Sequence, residues 1–211
     1  MAKPTEVTTK PVRLSYTKDL FEARAQDPKK PEDKKYSVQL LLPPDFDLTP
    51  IRTAIKAAMT EKFGDKAAAM LAATKDPAKN KMAPWGNPIR KMEEKQDAET
   101  GEFEPGMMAG GHFISAKNKY QPTVVDRQAK RITDPEQIPP GSWGHVHLNA
   151  YAWLNNGLWG VSLSLEAVQF VRADERLDGR KAATDMFRPL EGETPPAAAG
   201  EATSDQDALF G

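Results

Sequence analysis

The sequence predicts a mainly β domain of α+β type: a small, partly open barrel of about five strands, a pair of helices inserted between strands, and an acidic tail that does not fold. Three observations carry this expectation. Two alternating runs flank "NNG" within residues 141–172, helical periodicity appears only between residues 49 and 75, and no βαβ alternation is present.

After a polar start, "KPVRLSY" and "KKYSVQLLL" place aromatic and branched residues near period two on either side of the charged loop "QDPKKPEDK", and predict two early strands. In "LTPIRTAIKAAMTEKFG" the period changes. Thr49 is the expected N-cap and Pro50 the first helical residue; Ile51, Ile55, Ala58, Met59 and Phe63 form one stripe, and Gly64 stops it. "DKAAAMLAATK" restarts a short helix from Asp65, so the helical insertion spans about 49–75 and its stripe is expected to pack on one side of a sheet.

Residues 76–110 hold Pro, Gly and charge without a sustained period, and a loop this long in a compact domain is functional or disordered. It carries Trp85 and the cations Lys79, Lys81, Arg90 and Lys91. "HFISAKN" and "PTVVD" resume the strand signal. In "GSWGHVHLNAYAWLNNGLWGVSLSLEAVQFVR" the Asn156-Gly157 pair predicts a tight hairpin, since both positions accept positive φ. Val146, Leu148, Ala150, Ala152 and Leu154 share one face of the first run; His145, His147, Asn149, Tyr151 and Trp153 share the other. One face is core, and the other is polar yet aromatic.

A chain of 211 residues is long enough for one substantial core, assigned here to residues 1–188, with 189–211 as the tail. The Pro, Ala, Gly and Glu of that tail cannot bury enough apolar surface to fold. With no cysteine, disulfides, thiolate zinc sites and cysteine nucleophiles are excluded. No apolar run approaches the ~18 residues that span a bilayer, and the amino terminus lacks the apolar core of a signal peptide. A cytoplasmic setting without membrane contact is expected. The net charge of -1 averages over unlike ends: no Lys or Arg follows Arg188, whereas Glu191, Glu193, Glu201, Asp205 and Asp207 do. Removing those five acids leaves the body at about +4, the asymmetry of a chain whose body meets a polyanion and whose tail competes for the same surface.

Enzymatic chemistry finds nothing positive. There is no GxxxxGK[ST], and "GMMAGG" lacks the lysine and following helix that cradle phosphates. His145 and His147, two apart on a strand, project alike and offer two metal ligands, but a site needs a third, so the groove-lining reading is preferred. No Ser/His/Asp set stands out. The chain is expected to be no enzyme and to need no cofactor.

Nucleic-acid binding has more behind it, because single strands are held by a cationic groove in which bases stack on aromatic rings. "GGHFISAKNKYQPTVVDRQAKR" interleaves Phe113 and Tyr120 with Lys117, Lys119, Arg127, Lys130 and Arg131, and Trp85, Trp143, Tyr151, Trp153 and Trp159 add rings. Core packing competes for each ring. Tyr151 and Trp153 are favoured as exposed because they share a face with His147 and Asn149. The candidate contact set is therefore Trp85, Arg90, Lys91, Phe113, Lys117, Lys119, Tyr120, Arg127, Trp143, His147, Tyr151 and Trp153. Five strands, elaborated loops and this surface suit an OB-like barrel, whose strand face and loops bind oligonucleotides.

The segments "GHFISAKNKYQPTVVDR" and "IPPGSWGHVHLNAYAWLNNGLWGVSLSLEAVQFVRADERL", with "RLSYTKDLFEA", "YSVQLLLP" and "DERLDGR", carry a resemblance over roughly residues 10–187. In order and spacing they resemble the single-stranded DNA-binding proteins of an OB-fold family of tailed bacteriophages, first catalogued as a domain of unknown function. The resemblance implies an OB core with an inserted helical element, binding of single-stranded DNA without sequence preference in phage or prophage replication, recombination or repair, and no catalysis. It does not assign contact residues. The tail is similar to those of replicative single-strand binders, which end in acids and an aromatic: Asp205, Asp207, Leu209 and Phe210 fit, while Gly211 departs from a terminal aromatic. This implies a plug for a polymerase or helicase partner. Exposed β edges leave room for a homodimer. Two rival readings are an interaction or assembly module with a structural barrel, and a metal enzyme built on His145 and His147.

Overall fold

The computed structural model describes residues 3–25 and 28–180; the expected tail, with Asp205, Asp207, Leu209 and Phe210, lies outside the described residues. The described residues form nine strands: β1 (Glu6–Thr8), β2 (Val12–Ser15), β3 (Arg24–Ala25), β4 (Lys34–Leu42), β5 (Arg90–Lys91), β6 (His112–Asn118), β7 (Thr123–Val125), β8 (Trp143–Asn155) and β9 (Leu158–Arg172). Two helices, α1 (Thr49–Phe63) and α2 (Lys66–Ala73), follow β4.

Five strands pair in a ring in the order β2-β4-β6-β9-β8, with β8 returning to β2. This is the five-stranded OB-like closure that the sequence predicts. All ring contacts are antiparallel except β6 with β9, which is parallel and rests on the single register pair Lys117↔Ser164. At that thin seam the Asn118 amide substitutes for ladder bonds, its Nδ2 donating to Ser164 Oγ at 3.1 Å and to the Leu165 carbonyl at 2.9 Å. The short strands β1, β3, β5 and β7 are additions to the ring. β1 arises in a stretch too polar to announce itself, and it pairs with the middle of β8.

The ring interior is the core. Val38, Leu40 and Leu42 of β4, Ile114 and Ala116 of β6, Val146, Leu148 and Ala150 of β8, and Val161, Leu163 and Leu165 of β9 point inward and are buried. Period-two alternation puts their neighbours on the outer wall. Trp159 joins this core and so is no surface ring. Burying one Leu or Ile side chain fully is worth about 1.5–3 kcal/mol, which fixes the register of each strand.

The helical insertion stands where its periodicity places it, with Ile51, Ala54, Ala58 and Met59 buried and Ile55 and Phe63 partly so. Its start differs from the expectation at Thr49. Leu48 precedes the first turn and Asp47 Oδ1 accepts from the Thr49 N–H at 2.9 Å, so an aspartate two residues upstream does the capping. The hairpin turn is as predicted, with Asn156 at φ 49° and Gly157 at φ 76°. No helix among the described residues is long and apolar enough to cross a membrane.

Candidate nucleic-acid interface

The outer wall of β4, β6 and β9 is polar over one half. Lys35, Ser37 and Gln39 project from β4, Ser115 and Lys117 from β6, and Ser162 and Ser164 from β9, all but Lys35 next to a buried apolar residue of the opposite phase. Above this wall the segment after α2 brings Trp85, Asn87, Pro88 and Arg90, and β8 contributes Tyr151. Together they enclose a cleft of about 660 Å³ that runs over the thin β6–β9 seam.

Four cations line it: Lys35, Arg90, Lys117 and Lys119. Among the described residues no carboxylate does. Lys35 and Arg90 are steadied from outside the cleft, by Asp33 at 3.0 Å and by Glu94 at 2.6 Å, and the Arg90 guanidinium lies 5.2 Å from the centre of the Phe113 ring. Lys117 and Lys119 make no ion pair among the described residues. Loss of hydration on the cleft wall, and after it the Lys35 ammonium, lowers the Lys117 pKa below that of an ordinary lysine. Two cations held close enough to repel suit an anionic occupant.

Two rings offer open faces here. Trp85 is 67% exposed and Tyr151 50%. Tyr120, at 81%, stands on the rim one residue beyond Lys119, its N–H donating to Asn118 Oδ1 at 3.0 Å. The structure thus gathers Trp85, Arg90, Lys117, Lys119 and Tyr151 of the candidate set in one cleft, with Tyr120 at its edge.

The other candidates lie elsewhere. Phe113 is 1% exposed and belongs to a second core cluster with Leu41, Met92 and Met107, so its ring cannot receive a base; it reaches the cleft only through Arg90. Trp143, eight residues before Tyr151 on β8 and so about 27 Å along the strand, donates from Nε1 to Asp174 Oδ2 at 2.7 Å and carries the Arg172 guanidinium over its ring. His147 faces β1, its Nδ1 2.8 Å from Thr8 Oγ1, and His145 Nδ1 meets the Thr9 carbonyl at 2.8 Å. Both histidines are thus engaged with the edge strand rather than with a groove. Among the described residues no cluster of His, Asp or Glu could hold a metal ion. Trp153 is half-buried on the same face of β8 as Tyr151, lies across Gly160, where any Cβ would overlap its ring, and donates to Ser162 Oγ at 3.0 Å; it stands beside the cleft and fixes one of its lining hydroxyls. Lys91 alternates with Arg90 and lines a separate groove of about 450 Å³ beside α1 and α2. Arg127 sits on an exposed turn after β7, closed by the Asp126 carboxylate, which accepts from the Gln128 and Lys130 N–H groups.

Sequence reasoning passed over Lys35, Ser115, Asn118, Ser162 and Ser164. For Lys35, Ser115, Ser162 and Ser164 the signal was present, since each sits at the polar phase of its strand and only the ring closure says that these phases face one another; Asn118 continues the buried phase of Ile114 and Ala116 and carried no such signal.

Comparison with known proteins points the same way. A family model described as "Enterobacter phage Enc34, ssDNA-binding protein" matches residues 5–198. Protein p50 of Acyrthosiphon pisum secondary endosymbiont phage 1 is 30% identical over 148 residues, 69% of this chain and 73% of that protein. The fold is similar to that of the single-stranded DNA-binding protein from bacteriophage Enc34 in complex with ssDNA, with a TM-score of 0.56 and 22% identity, covering 82% of this chain and 90% of that one. A C-terminal truncation of the same phage protein gives a TM-score of 0.54 at 22% identity over the same shares.

Proposed function

This chain belongs to the Enc34 ssDNA-binding protein family, and from that premise we propose that it coats single-stranded DNA without sequence preference, using the cleft over the β6–β9 seam. The observation that carries the reading is the pairing of four lining cations with two open rings in a cleft that no carboxylate of the described residues lines. Phosphates displace counterions as they meet Lys35, Arg90, Lys117 and Lys119, and bases stack on Trp85 and Tyr151. Nothing in the cleft matches the edge of one particular base pair, so affinity follows charge and stacking. The work is protection of exposed strands during phage or prophage replication, recombination or repair in the host cytoplasm, with no catalytic step.

The tail, residues 189–211, extends the proposal. Leu209 and Phe210 would plug an apolar pocket on a polymerase or helicase partner, with Asp205 and Asp207 meeting basic residues around it. Without DNA the same acids compete for the protein's own cations. Deleting 189–211 should tighten oligonucleotide binding at low salt and abolish partner capture; an unchanged or weaker affinity would end the competition idea.

Fluorescence titration with oligo-dT tests the core of the reading. Trp85 is the most exposed of the tryptophans and its emission should be quenched, strongly at low salt and weakly at high salt, with little response to duplex of equal length. Absence of binding by both the full chain and the tail-truncated protein would leave the rival, an assembly module with a structural barrel.

A further inference from the structure

Past Ser115 and Lys117 the cleft continues into a recess of about 230 Å³, walled by Tyr16, Asp19, Ser37, Gln39 and Lys95. Two residues of this recess bear on what it could hold. Tyr16 stands 52% exposed at φ 58°, ψ 35°, a left-handed conformation that a bulky residue adopts only when its surroundings hold it there. The following turn does so, with the Asp19 N–H donating to the Tyr16 carbonyl at 3.1 Å.

Gln39 is the second. It is only 7% exposed, sits opposite Ser115 in the β4–β6 ladder, and its buried Oε1 has no hydrogen-bond partner among the described residues. A buried amide oxygen left unpaired is costly, and an apolar side chain of the same length would avoid that cost. The acid in the wall is already spoken for: Asp19 pairs with Arg24 at 2.9 Å and accepts from Ser37 Oγ at 3.4 Å. Lys95 is tied to Glu104 at 3.4 Å, while Lys117 stands at the junction with the cleft.

We infer that this recess is a base-reading subsite: one base stacks on Tyr16, its hydrogen-bonding edge meets the Gln39 amide, and Lys117 takes the phosphate that links it to the next nucleotide in the cleft. The inference rests on the single-stranded DNA reading given above. A carboxamide both donates and accepts, so it can pair with the edge of any base that presents a donor beside an acceptor. The subsite therefore tolerates sequence yet requires that a base be present.

Fluorescence anisotropy on the full chain tests this with two ligands of equal length, a dT homopolymer and an abasic homopolymer, so that register along the strand does not matter. Tyr16→Gly removes the ring while glycine keeps the left-handed backbone at no strain, and Gln39→Met keeps the buried volume. Each should weaken dT binding about tenfold, leave its salt dependence unchanged, and leave abasic binding as in the wild type. Lys119→Ala, a phosphate control, should weaken both ligands. The subsite is refuted if both variants, folded by circular dichroism, bind dT like the wild type, or if they lose the same factor on the abasic strand. Wild-type protein that fails to bind dT at any salt would sink the reading of the whole face, and this subsite with it.

Discussion

The outer face of the β4–β6 ladder is one continuous surface with two fates. At one end Leu41 and Phe113 are sealed beneath Met92, Met107, Phe103 and Leu177. At the other end of the same strands Lys35, Ser37, Gln39, Ser115 and Lys117 line the cleft and its recess, Ser37 and Gln39 being themselves buried. The two ends differ in side chain, apolar at one and polar at the other, and in cover. Residues 92–107 cap the apolar half and leave the cleft and recess of the polar half open, which is why an aromatic residue four positions from a binding lysine ends in a core. What separates a stacking ring from a packing ring in this molecule is which loop returns over it.

The division can be tested from both ends. The largest effect should come from the sealed half: Phe113→Ala should cost about 3–5 kcal/mol of stability in urea unfolding, with only a few-fold loss of oligonucleotide affinity in the folded protein, transmitted through Arg90. A folded Phe113→Ala protein as impaired in binding as a cleft variant would erase the distinction. Next, Trp85→Ala and Tyr151→Ala should each remove about 1–3 kcal/mol of dT binding by calorimetry and change stability by no more than about 0.5 kcal/mol. Smaller still, Lys117→Ala and Lys119→Ala should each flatten the plot of log affinity against log salt by about 0.7, while Arg127→Ala, away from the cleft, should leave the slope alone.

The smallest effect concerns the clamp on the sealed half. Hydrogen bonds from the Glu175 N–H, Trp143 Nε1 and Arg172 hold the Asp174 pKa at about 2, and Arg176 above all holds Asp178 at about 2, from an ordinary value of 3.8. Both shifts are downward. The stability that these carboxylates contribute is thus complete above the ordinary value and is lost as pH falls from about 4 towards 2. In NMR spectra the Trp143 indole N–H resonance should move across that window while the Trp85 resonance stays put; Asp174→Asn should remove the transition. Movement of both indoles together would mean that acid loosens the open half as well.

Much of this architecture is legible in the chain itself. Alternation along residues 143–172 marks the long hairpin and its inward face, Asn156-Gly157 marks its turn, and the stripe from Ile51 to Phe63 marks the inserted helix. Trp85, Lys117, Lys119 and Tyr151 are recognisable as candidates by residue type and phase. Phe113, Trp143 and His147 are not separable from them by the same means, because what covers each is distant in sequence: Met92 and Met107 for Phe113, Arg172 and Asp174 for Trp143, Thr8 for His147. Tyr16 and Gln39 show the converse. Neither belongs to a cation-rich stretch, and only the pairing of β4 with β2 on one side and β6 on the other puts them beside Lys117.

The seam between β6 and β9 has a consequence for how the protein melts. A ring closed at one point by a single register pair and an asparagine amide is easiest to part there, and the proposed strand of DNA lies across both lips. Bound polymer would then act as a fastener, and by mass action it must raise the unfolding temperature by an amount set by free ligand over its dissociation constant. Heat, rather than fluorescence, becomes the ruler: an unlabelled barrel that gains degrees with every decade of oligo-dT, and gains none with duplex, reports its own occupancy.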